Sequence, residues 1–128
     1  MIKLIQNNPY RFLGVYSNSP IKDRVANINK LKAYLKVGKQ LSFPLDMPDL
    51  LEPFSRTIEG MEASAASLNL PKDQIKHALF WFVNITPFDK IALDYLQAGN
   101  AEKCKEISSK KETISSLINL GVLAGVED

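Results

Sequence analysis

The chain has 128 residues, 45% of them hydrophobic and 23% charged, with a net charge of +2 and a single cysteine. That length suits one hydrophobic core, or one domain and the start of a second, and the composition excludes intrinsic disorder. No apolar run reaches the roughly 18–20 residues that cross a bilayer, MIKLIQNNPY lacks a signal-peptide core, and one thiol forms no internal disulfide; the expectation is a cytoplasmic protein with no membrane partner. Charge is uneven along the chain. Residues 1–39 hold eight basic residues against Asp23 alone, and residues 40–70 hold Arg56 against five acidic ones. A basic N-terminal third points to a partner of negative potential or to a solvated helix face.

Helical periodicity dominates and no stretch alternates as a strand would, so the expected fold class is all-α. Asn8-Pro9 opens a short turn over Tyr10–Leu13 that Gly14 can end. Ser19-Pro20 starts a helix reaching about Val37, stopped by Gly38. Its apolar seam is Ile21, Val25, Ile28, Leu31 and Leu35; Lys22, Asn29 and Lys36 lie opposite, flanked by Lys30 and Lys32. A loop with Pro44 and Pro48 follows. Leu51, Phe54, Ile58, Met61, Ala65 and Leu68 then form a second seam, with Pro53 delaying the regular helix to about Phe54 and Gly60 weakening its middle. Pro71 opens a helix that carries Ile75, Leu79 and the Phe80-Trp81-Phe82 cluster, of which the core claims Phe82 and one other ring. Tyr10, Phe12 and Tyr34 are expected to fill the N-terminal core. Thr86-Pro87 starts a helix to Gln97, and two short helices follow over 101–108 and about 113–123. The junction Leu96–Ala101 is of the helical-repeat kind, and the last helix is apolar on nearly every side. Residues 1–84 and 85–128 therefore read as two units, the second the start of a helical repeat, with self-association through the last helix as one way to cover it.

Asn8-Pro9-Tyr10-Arg11-Phe12-Leu13-Gly14-Val15, the Ser19-Pro20 start of a long basic helix, and Asp73–Phe80 after Leu70-Pro71 together resemble a J-domain, the module of DnaJ-type co-chaperones that stimulates Hsp70. The resemblance covers about residues 8–82 and implies a helical hairpin whose second helix faces Hsp70. One motif departs from the pattern. Where the family carries His-Pro-Asp after helix II, this chain reads Leu41-Ser42-Phe43-Pro44-Leu45-Asp46: Phe43 replaces the histidine, Pro44 remains, and Leu45 displaces Asp46 by one residue. The resemblance is to a degenerate bacterial J-domain-like protein that has lost the group driving Hsp70 ATP hydrolysis.

Catalytic chemistry finds little support in the residues. His77 is the sole histidine and Cys104 the sole cysteine, distant in sequence, so a zinc site lacks nitrogen and sulfur ligands; no metal and no cofactor is expected. Lys103 and Lys105 flank Cys104 but point elsewhere on a helix, and a structural cysteine is the favoured reading. Glu59 and Glu62 read as solvated charges, and no phosphate loop or nucleophile elbow is present. The expected function is non-catalytic protein binding through Lys22, Lys30, Lys32, Lys36 and Lys39, with an Hsp70-like protein or further helical repeats as partner. Nucleic-acid binding by the same lysines ranks second.

Overall fold

The computed structural model describes residues 1–127. Among them are eight α-helices and no strand: α1 Ile2–Gln6, α2 Pro9–Phe12, α3 Ile21–Lys36, α4 Ile58–Ala66, α5 Pro71–Ala78, α6 Pro87–Gln97, α7 Ala101–Ser109 and α8 Ile114–Glu127, with one 3-10 turn at Pro44–Asp46. The all-helical class follows the sequence expectation, and most helix starts sit where capping chemistry puts them. Asn8 caps α2 by accepting from Tyr10 N at 3.0 Å. Thr86 and Asp89 form a reciprocal box at the start of α6: Asp89 N donates to Thr86 Oγ1, and Thr86 N donates to Asp89 Oδ2. Asn100 caps α7 through Lys103 N. Gly14, Gly38 and Gly99 follow α2, α3 and α6 at positive φ, the conformation that ends a helix at little cost only for glycine.

Three elements differ from expectation. The short helix α1 precedes the first capping signal and was not foreseen. The second seam is helical only from Ile58, with Thr57 as its cap; residues 47–57 are irregular. Pro53 blocks a helix there, and the backbone of Arg56 pairs with the Gln40 amide instead, N to Oε1 and O to Nε2, both at 2.8 Å. Gly60, expected to weaken this helix, serves packing: a Cβ would lie 2.9 Å from the Phe12 ring. Finally, the Phe80-Trp81-Phe82 cluster lies beyond α5, in the turn that ends the helix and the irregular segment after it, which frees both Trp81 and Phe82 to be fully buried while Phe80 stays half-buried.

That segment organises the centre of the molecule. Trp81 Nε1 donates to Val15 O at 2.9 Å, Ser17 N donates to Phe82 O, and Asn119 of α8 satisfies both the N–H and the C=O of Val83 at 2.9 Å. Asn8 donates to His77 O, fastening the start of α2 to the end of α5. One buried cluster takes in Ile5, Leu13, Leu31, Met61, Trp81, Leu93, Cys104 and Leu123, so segments 1–84 and 85–128 share a core.

Burial along the amphipathic helices is shallower than their patterns predict. On α3 only Leu31 is fully buried; Ile28 and Leu35 are half-buried, and Ile21 and Val25 stand in solvent. α4, with nine residues, is too short to cover the sixteen of α3. Tyr34, expected in the core, is exposed: it lies about 60° around α3 from the buried Leu31, at the edge of the covered stripe. Ile75 of α5, Leu79 at its C-cap and Leu117 of α8 are also exposed.

Candidate partner-binding surfaces

The five predicted docking lysines, Lys22, Lys30, Lys32, Lys36 and Lys39, are all exposed, and none has an acidic partner within 4 Å among the described residues. They do not form a single row. At 3.6 residues per turn, Lys22, Lys32 and Lys36 fall within about 80° of one another, while Lys30 lies about 80° from Lys22 on the other flank. Lys39 sits past Gly38, its N–H donating to Tyr34 O. Exposed Ile21 and Val25 fall among the three-lysine stripe, so cationic and apolar side chains alternate on one face.

The loop that stands where a His-Pro-Asp motif would be is turned inward. Phe43 lies against Gly14, where an added Cβ would meet the ring at 2.3 Å, and its other neighbour is the Arg56 guanidinium, 4.9 Å from the ring centroid. Pro44 is exposed at the start of the 3-10 turn. Asp46 accepts from Phe43 N and forms a bidentate pair with Arg56, Nη2 to Oδ1 at 2.6 Å and Nη1 to Oδ2 at 2.8 Å. The carboxylate therefore belongs to the interior rather than to the surface.

Arg56 and Arg11 are the residues the sequence reading passed over. Arg56 is 3% exposed and uses all five N–H donors: besides Asp46 it reaches Phe12 O, Leu41 O and Arg11 O. Arg11, 1% exposed, donates to Gln6 O, Asp46 O and Glu52 O. Both guanidiniums sit 4.5 Å from the Phe54 ring centroid, on which they stack. Burial weakens the hold of Arg11 on its proton, Asp46 strengthens it, and the neighbouring Arg56 weakens it. A lone Arg in an acidic stretch with Phe43 and Phe54 nearby was the available signal, but charge counting recorded only its sign.

The candidate chemical groups are held apart. Cys104 is buried, and burial pushes its thiol pKa up, against a smaller opposing effect of Ser108. His77 is half-buried on α5; desolvation, with Lys76 beside it, lowers its pKa, and Asp73 opposes this weakly. Glu59 and Glu62 are solvated. Among the described residues no group of three or more His, Cys, Asp or Glu side chains is placed to hold a metal ion, and no helix is long and apolar enough to cross a membrane. Comparison with family models, curated proteins and solved structures finds no match to this chain.

Proposed function

We propose that the protein is a non-catalytic protein-binding module on a J-domain-like scaffold, docking through the basic face of α3 and unable to stimulate Hsp70 ATPase. The observation that carries the reading is the stripe of Lys22, Lys32 and Lys36 interleaved with exposed Ile21 and Val25, cations without an acidic partner beside apolar side chains without a cover. A protein surface of acidic and apolar groups complements both. The scaffold reading draws on the order of a short helix, a long basic helix, a loop and two further helices, with α6, α7 and α8 as helical-repeat-like additions. Lost stimulation draws on Phe43 and Asp46: one cannot exchange a proton or donate a hydrogen bond, and the other is engaged by Arg56. In this reading the protein works in the cytoplasm.

Mixing the protein with a bacterial Hsp70 tests this directly. The expected result is salt-sensitive binding, weakened by the pair Lys32→Glu and Lys36→Glu, with no rise in ATP turnover. Stimulated turnover would overturn the claim of lost activity, and absence of binding would remove Hsp70 as the partner. Nucleic-acid binding by the same lysines is the second reading; it predicts low-salt retention of duplex or single-stranded probes, falling steeply as salt rises.

A further inference from the structure

An open groove of about 550 Å³ runs between α1, α5 and α8. Ile75 of α5 and Leu79 just past its end line it on one side, Leu117, Ile118 and Gly121 of α8 on the other, and Phe80 and Val122 lie deeper. Ile75, Leu79 and Leu117 each leave more than half of their surface in water, at 65%, 67% and 59%. Contiguous apolar surface of this kind on a folded chain marks an interaction site. Nothing inside the molecule requires Gly121, since a Cβ there would meet no atom within 4 Å. Glycine in the middle of a helix is unfavourable by itself, and here it keeps the groove open at its centre.

Charge decides between occupants. Lys72 and Lys76 lie on the same exposed face of α5 as Leu79, within about 60° of it, and have no acidic partner within 4 Å among the described residues. Asp73 and His77 project about 160° away from Ile75. Among the described residues no acidic side chain lines the groove; Glu112 precedes α8, and Glu127 at the far end of that helix pairs with Lys105. A second copy docked by two-fold symmetry would bring this same patch, and so the same lysines, against itself. We propose that the groove takes an amphipathic helix of a partner protein, its apolar stripe at i, i+3 or i+4, and i+7, bordered by Asp or Glu that meet Lys72 and Lys76. The lined stretch of α8, Leu117–Val122, spans six residues, close to 9 Å, which matches about two turns of such a helix. None of the α3 lysines lines this groove, so the site is separate from the α3 docking face.

Three dye-labelled, helix-stabilised peptides test the assignment by fluorescence anisotropy: one with a leucine stripe bordered by Glu, a twin bordered by Lys, and a third keeping Glu but with Gln for Leu. The Glu-bordered peptide should bind saturably, the Lys twin about threefold to tenfold more weakly, and the Gln peptide not at all. The pair Lys72→Glu and Lys76→Glu should reverse the preference. Leu117→Gln, at an exposed position that leaves the circular dichroism unchanged, should abolish binding. The pair Lys32→Glu and Lys36→Glu should leave peptide affinity intact, which separates this result from failure of the α3 reading. Equal affinity for the two charged peptides, no binding by the folded protein, or a dimer in sedimentation that Leu117→Gln dissolves would each overturn the proposal.

Discussion

Arg56 is tied at every donor, so its removal cannot be absorbed by rearrangement of one bond. Substituting Ala would leave the Asp46 carboxylate without its cation and the carbonyls of Phe12, Leu41 and Arg11 short of a donor. Breaking a buried ion pair on one side costs about 3–5 kcal/mol, and that is the loss expected for Arg56→Ala in urea unfolding. Lys would restore the charge but not the fork, so Arg56→Lys should recover only part of the loss. A double-mutant cycle with Asp46→Asn checks the pairing, and additive single effects would contradict it. Through these bonds Asp46 ties the turn at Phe43–Asp46, which contains Pro44, to Arg56 and to the backbone N–H of Phe43.

Among the elements, α6 and α8 illustrate opposite uses of local chemistry. The Thr86 cap supplies an acceptor to the first turn of α6, and Thr86→Ala should lower stability by about 1 kcal/mol. In α8, a methyl group at Gly121 meets open space, so Gly121→Ala should raise the unfolding free energy by about 0.5–1 kcal/mol. A thermal melt measures both, and a fall in stability for Gly121→Ala would show that the centre of α8 is closed rather than open. Fixing Asn119 by two bonds to Val83 gives α8 a structural role that its otherwise apolar sequence conceals. The irregular run 47–57 follows the same logic in reverse: side chains from distant residues satisfy its backbone, and a helix would break those bonds.

At the scale of the whole molecule, the central segment around Trp81 and Val83 couples the two halves of the chain. Asn119→Ala should cost about 1–3 kcal/mol, because it leaves a buried N–H and C=O unpaired. With one shared core, urea unfolding should remain a single transition by fluorescence of Trp81 and by far-ultraviolet circular dichroism; two separated transitions would mean that residues 85–128 fold alone. Acid sensitivity has a specific contributor in His77. Its pKa in the folded chain lies below the ordinary value near 6.5, so the unfolded chain binds the proton first as pH falls. The stabilising contribution is complete above about pH 6.5 and diminishes as pH drops through the folded pKa. His77→Gln should flatten this small dependence between neutral and mildly acidic pH, measured by urea midpoints.

Residue chemistry acting within one turn was legible in the sequence. Asn8-Pro9 and Thr86-Pro87 marked helix starts, and Gly14 and Gly38 marked stops, because cap bonds and positive φ depend on neighbours a few positions away. The all-helical class came from the same local periodicity, and the exposure of the α3 lysines from their charge. Tertiary structure alone decided which seam residues find a partner. Ile21 and Val25 look as buried in sequence as Leu31 does, yet they stand in solvent, because nine-residue α4 is too short to cover all of α3. Arg11 and Arg56 were invisible as interior groups, since what makes their burial tolerable are carbonyls and a carboxylate 35–45 positions away for Arg11–Asp46, Arg11–Glu52 and Arg56–Phe12 or Arg56–Arg11, and ten for Arg56–Asp46. The groove, too, belongs to no single segment: residues at the end of α5 and along α8 line it together with Ile5 of α1.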